Sequence, residues 1–173
     1  NLACSFCDTD FNDYQLLSTS DILESVKGSW SSRFSSKKSQ LRSLYSLEKI
    51  KSLSTQQKIT NLPKLVVITG GEPLRQNIEP LCNLLISQGI TVQIESNGSI
   101  HRSLPRTTQI VCSPKPQNGR YYHLHDVILQ RTIALKFLIS RYHSGYEDIA
   151  EIGQTNYNIP VYVQPMDLYD SEK

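Results

Sequence analysis

Methionine is almost missing from this chain. Its one copy is Met166, and position 1 is Asn, so the N-terminus is expected to be cut or processed. Long apolar runs are missing too. Leu65 to Ile68 and Ile133 to Ile139 are strand-sized, far short of the ~20 residues of a membrane-spanning helix, and no signal-peptide pattern is visible. Charge of one sign is scarce: the net charge is +2 and the basic residues are spread out, which gives no argument for nucleic acid. Four cysteines, at positions 4, 7, 82 and 112, are too few for a disulfide framework in 173 residues. Reduced thiols and a cytoplasmic location are the expectation. No internal repeat is apparent.

What is present suffices for a core. With 38% hydrophobic residues, residues 1–173 are expected to form one domain. Lys64 to Thr69 reads as a buried strand, followed by Gly70-Gly71 and a helix from about Ile78 to Gln88 that Gly89 ends. Thr91 to Ile94, Thr108 to Cys112 and Ile133 to Ile139 read as further strands. Helix-like residues follow from Tyr146 to Ile152, and Pro160 to Val163 starts a fifth strand. Strands separated by helical patterns argue for an α/β fold with a largely parallel sheet. Before them, Ser20 to Val26 and Leu41 to Ser52 look helical, and the Ser-rich, basic stretch 29–39 between them is expected to be a surface loop or insertion.

In sheets of this kind ligands bind beyond the carboxyl ends of the strands. Four polar, turn-rich clusters stand there: Thr69-Gly70-Gly71-Glu72-Pro73, Glu95-Ser96-Asn97-Gly98, Ser113-Pro114-Lys115-Pro116 and Gln164-Pro165-Met166-Asp167. Four such clusters on one expected edge suggest a common site. The paired glycines let the backbone approach a ligand, but the phosphate-loop pattern is missing. At the start of the chain, Cys4 and Cys7 form a C-x2-C pair. By itself the pair is open to zinc, redox or no chemistry. A zinc knuckle lacks two ligands at sensible spacing, and no helix opens after Cys7 as a thioredoxin-like dithiol requires. Cys82 and Cys112 read as small buried hydrophobes. His123 and His125 read as surface-loop residues, Trp30 as a packing residue, and Lys136, inside an apolar run, as needing a carboxylate or a site to point into.

Taken together, Cys4 and Cys7 with the G-G-E-P run resemble the radical S-adenosylmethionine (SAM) enzymes, whose C-x3-C-x2-C motif holds a 4Fe-4S cluster. One further Cys just before Asn1 would complete that motif. Cys7-Asp8-Thr9, Ile68 to Pro73, Gln93 to Gly98, Ser113-Pro114-Lys115, Leu135-Lys136-Phe137 and Gln164-Pro165 narrow the resemblance to the 7-carboxy-7-deazaguanine synthase family. The resemblance runs from Cys4 to Asp167 and implies a partial (β/α) barrel of radical SAM type, incomplete at both ends. It implies a lyase that converts 6-carboxy-5,6,7,8-tetrahydropterin to 7-carboxy-7-deazaguanine with loss of ammonia, in the route to queuosine and other deazapurines.

The implied cofactors are a 4Fe-4S cluster, SAM and Mg2+. The implied partners are the pterin, an electron donor such as a flavodoxin or ferredoxin, and a second copy in a homodimer, with no direct nucleic acid and no membrane. By motif, Cys4 and Cys7 would bind the cluster, and Thr9 would bind Mg2+, as suits a hard cation. Phe6, Cys7, Asp8, Gly71, Ser113, Pro114, Lys115, Gln164, Pro165, Met166 and Asp167 would line SAM. Gly70, Glu72, Glu95, Ser96 and Asn97 would face the same site, and Thr69 would contact the pterin. With only two thiolates at the motif, the chain as it stands is expected to be inactive. Two other readings stay open: an activase of glycyl-radical enzymes from the same superfamily, and a non-catalytic domain that has lost its cluster.

Overall fold

The computed structural model describes residues 14–44 and 62–166, with backbone only for 33–44. Helix α1 is Thr19–Leu44, strand β1 is Leu65–Ile68, helix α2 is Glu79–Ser87, and strands β2 and β3 are Thr91–Ser96 and Gln109–Cys112. A short helix α3, Asp126–Leu129, precedes β4, Thr132–Ile139, and β5 is Val161–Pro165. Single 3-10 turns stand at Pro73–Arg75 and Thr155–Tyr157.

All five strands are parallel and their order in the sheet is their order in the chain. Parallel crossovers are nearly always right-handed, so a sheet that advances in one direction collects its connections on one face. The burial pattern agrees. Val92, Ile94, Ile110, Cys112, Leu135 and Phe137 share a face by register and are all buried. Against the first of them pack Leu81, Cys82 and Leu85 of α2, and against the last pack Ile128 and Leu129 of α3. Each large apolar side chain buried in this way contributes roughly 1.5–3 kcal/mol. This is an open α/β sheet wound in one direction, the arrangement of part of a barrel. It is not closed.

The opposite face carries Leu65, Val67, Gln93, Glu95, Val111, Lys136 and Leu138, in register with Tyr162 and Gln164. All of them are exposed or half-buried among the described residues. Helix α2 starts with Pro80 in its first turn, where a missing N–H costs nothing. It stops at Gly89 (φ +75°), where the N–H of Ile90 returns to the carbonyl of Leu85 at 3.2 Å.

Two expectations are corrected. The stretch 29–39 is no loop, because α1 runs through it without a break. No proline interrupts the helix, and Lys, Arg, Gln and Leu are good helix formers, so a Ser-rich composition conceals a helical segment. Its start is a capping box. Asp21 accepts from Ser18 N–H at 3.2 Å and Oγ at 2.7 Å, and its own N–H returns to Ser18 Oγ at 3.1 Å. The second correction concerns Tyr146 to Ile152, which is not helical. Gly145 (φ +85°) and Gly153 (φ +113°) bracket it, and Glu147 and Glu151 accept from the N–H groups of Gly145 and Gly153 at 2.6 and 2.9 Å. The one helical turn nearby comes later, at Thr155–Tyr157.

Candidate active site

Because the strands are parallel and consecutive, their carboxyl ends at Ile68, Ser96, Cys112, Ile139 and Pro165 lie along one edge. That edge gathers the clusters the sequence singled out. Thr69, Gly70 and Gly71 are exposed, Ser96 and Pro114 are buried, and Asn97, Ser113 and Lys115 are half-buried. Gln164 and Pro165 end β5 exposed, and the N–H of Met166 donates to Ile139 at 2.9 Å. Cys4, Phe6, Cys7, Asp8, Thr9 and Asp167 lie outside the described residues.

Gly70 and Gly71 have φ of +90° and +48°, and a Cβ added at Gly70 would meet nothing within 4 Å. The conformation demands glycine while the space above it stays open, which suits close approach of a ligand to the main chain. Glu72 behaves differently. It is only 4% exposed. Its Oε1 accepts from the N–H of Leu74 at 3.1 Å and from Ser96 Oγ at 2.9 Å, and its Oε2 accepts from the N–H of Asn97 at 2.7 Å. The Ser96 carbonyl accepts the N–H of Ser113 at 2.7 Å, and Lys115 Nζ donates to the carbonyl and hydroxyl of Ser113 at 2.7 and 2.8 Å.

On the open face, Lys136 Nζ lies 2.7 Å from Glu95 Oε2. Of the carboxylate or site that a Lys inside an apolar run needs, the structure supplies the carboxylate, two residues before Asn97. The strand-end rule passed over Gln93 and Tyr162, which stand on the same face. Period-2 alternation from Glu95 and register with Lys136 would have found them.

A cleft of about 220 Å³ opens beside the edge, lined by Asn97, Pro114, Lys115, Tyr121, Tyr122 and His123 among others. His123 and His125 are exposed and flank buried Leu124, as expected of a surface loop. Trp30 is half-buried and lines an open groove together with Pro63 and Leu65. Cys82 and Cys112 are buried free thiols. Burial pushes the Cys112 thiol up to about 12, and the negative charge of Glu72 adds to the effect. Neither is disposed to be a thiolate ligand. Among the described residues, no three His, Cys, Asp or Glu side chains come together as a metal site, and no helix is long and apolar enough to cross a membrane.

No protein-family model matches the chain. It is 42% identical over 170 residues to a 7-carboxy-7-deazaguanine synthase of Rickettsia prowazekii (strain Madrid E), covering 98% of this chain and 62% of that protein. A protein of the same name from Rhodospirillum rubrum is 36% identical over 117 residues, 60% of this chain and 48% of the relative. The chain thus spans about three fifths or less of the length of these curated relatives. Among solved structures, QueE from Escherichia coli overlays with a TM-score of 0.46 and 25% identity, covering 70% of this chain and 54% of that one. An overlay that loose carries no argument.

Proposed function

This chain is homologous to the 7-carboxy-7-deazaguanine synthases over nearly its whole length, and on that premise we propose that the full-length protein is a radical SAM lyase. It converts 6-carboxy-5,6,7,8-tetrahydropterin to 7-carboxy-7-deazaguanine and ammonia, for queuosine or a related deazapurine. The observation that carries this reading is the convergence of the Gly70-Gly71, Ser96-Asn97, Ser113-Lys115 and Gln164-Met166 segments at one edge of a parallel sheet.

The chemistry of the residues fits the groups they would hold. When bound, a 4Fe-4S cluster supplies the electron that cleaves SAM, and Cys4 and Cys7 are the thiolates available to it. Phe6, Asp8 and Gly71 line SAM, with the open main chain at Gly70-Gly71 admitting its polar end. Ser113, Pro114, Lys115, Gln164, Pro165, Met166 and Asp167 hold the remainder, and the cleft beside Pro114 and Lys115 offers aromatic and polar walls to a heterocycle. Thr9 offers a hard oxygen to Mg2+. Thr69 contacts the pterin, and Glu95, Ser96 and Asn97 stand on the same rim. A flavodoxin or ferredoxin supplies electrons, and the enzyme works as a cytoplasmic homodimer.

The test is anaerobic reconstitution of the full-length protein with iron and sulfide, followed by incubation with SAM, Mg2+, a reductant and the carboxytetrahydropterin. Formation of the deazaguanine without any protein substrate is the expected result. Cleavage of SAM with no change in the pterin would sink the substrate assignment and leave a different radical SAM reaction.

A further inference from the structure

Each hydrogen-bond partner of the Glu72 carboxylate is a donor from the protein itself, and the acid is almost fully buried. We propose that Glu72 is a positioning residue, not a cofactor ligand, and that it locks the loops after β1, β2 and β3 into one preset unit. The inference rests on the reading of this rim as the SAM site and assigns a different task to one of its motif residues.

Direction matters in this network. Ser96 Oγ accepts the N–H of Gly98 at 3.1 Å, so its own proton is free to go to Glu72 Oε1. Glu72 therefore meets three donors and acts only as an acceptor. A carboxamide of the same shape would turn an NH2 group toward one of those donors and leave both unsatisfied. From Ser96 the connection continues through the main chain, carbonyl to Ser113 N–H, and from Ser113 to the ammonium of Lys115. One buried carboxylate thus reaches, in three steps, a residue 43 positions later, as the numbers 72 and 115 show. Loops held in this way lose little freedom when a ligand arrives, which is how preorganisation raises affinity.

The experiment compares the full-length, cluster-loaded protein with its Glu72→Gln variant. Amide hydrogen exchange is read at Asn97, Gly98 and Ser113, with Val92 and Ile94 as core references. Faster exchange by tenfold or more at all three rim amides, with the references unchanged, is expected. The Ser113 amide touches no atom of Glu72 and is the deciding probe. Faster exchange at Asn97 alone overturns the three-loop coupling. In parallel, equilibrium dialysis is expected to show SAM bound at least tenfold more weakly by Glu72→Gln, with kcat at saturation within about threefold. Equal affinity overturns the positioning role. Should Glu72→Gln fail to fold, Ser96→Ala removes one link and is expected to raise Ser113 exchange to a lesser degree, and no change there overturns the network. A wild-type protein that binds no SAM overturns the cofactor reading instead, and the Ser113 exchange then decides the network alone.

Discussion

Lys136 and Glu95 meet over the top of β3, Nζ to Oε2 at 2.7 Å, although one belongs to β4 and the other to β2. The register places Glu95 level with Val111 and Ala134, so Lys136 leans back by one pleat to reach it. Both side chains keep a quarter or more of their surface in solvent, 26% and 30%. An ion pair so exposed contributes at most about 1 kcal/mol to stability. Its value lies in fixing where a carboxylate points on the open face. Lys136→Met is expected to change the free energy of unfolding by less than about 1 kcal/mol in a urea titration. Under the proposed function it lowers kcat/KM for the pterin about tenfold or more. A loss of several kcal/mol with kcat/KM intact would make the pair structural.

Gly98 and Cys112 pack closely behind the rim. Gly98 has φ of +78°, and a Cβ there would come within 2.5 Å of Cys112 Sγ. Gly98→Ala combines backbone strain with a clash inside the core and is expected to cost about 2–4 kcal/mol. Cys112→Ala in the same chain removes the sulfur that the new methyl meets. The double variant is expected to recover part of the loss, by ~1 kcal/mol in a double-mutant cycle. Strict additivity of the two single variants in chemical denaturation would show that the clash is not what costs the stability.

Much of this arrangement was legible in the chain because strand signals and site signals coincide. Leu65 to Ile68 and Gln109 to Cys112 are built largely of β-branched and aliphatic residues, and each breaks at a polar cluster, so strand ends and ligand loops are read together. The full burial of Cys82 and Cys112 follows from their place in apolar periodic segments. Three features were not legible. Helix α1 crosses a Ser-rich stretch because nothing there forbids a helix, and low complexity is weak grounds for a loop. Tyr146 to Ile152 has helix-compatible side chains, but its glycine brackets and carboxylate caps take the main-chain donors a helix would use. The inward turn of Glu72 depends on Ser96 and Asn97, which the sequence sets 24 and 25 residues away. A motif names its residues without saying which of them face the ligand.

The raised pKa of Cys112 has a consequence for alkaline stability. Its folded value, about 12, stands above the ordinary value of 9.0, chiefly because burial disfavours the thiolate. Between those two values the folded protein holds a proton that the unfolded chain has released, so stability falls as pH rises above about 9. One such group lowers the unfolding free energy by up to about 1.4 kcal/mol per pH unit in that window. Cys112→Ala removes this titration and is expected to flatten the decline between pH 9 and 11 in urea titrations, whatever its effect at pH 7. An unchanged slope would mean that other groups, Tyr121 among them, govern the alkaline limb. Burial raises the Tyr121 phenol to about 12 as well.

Gly70 separates backbone conformation from packing. With φ of +90° and open space where a Cβ would go, an L-residue there is strained without touching anything. Gly70→Ala is therefore expected to cost about 1–2 kcal/mol of stability through the main chain alone. D-alanine prefers positive φ. Introduced at position 70 by semisynthesis, it is expected to restore the stability and to match or exceed the glycine protein in a thermal melt. The two enantiomers also differ at the rim. L-alanine, by relaxing the loop away from positive φ, moves the Gly71 main chain that lies next to the Glu72 anchor, and SAM affinity falls with it under the proposed function. D-alanine keeps the loop path and carries its methyl on the other side of Cα. Affinity lost with both enantiomers would place the ligand directly over Gly70, and affinity lost with L-alanine alone would make loop shape the requirement.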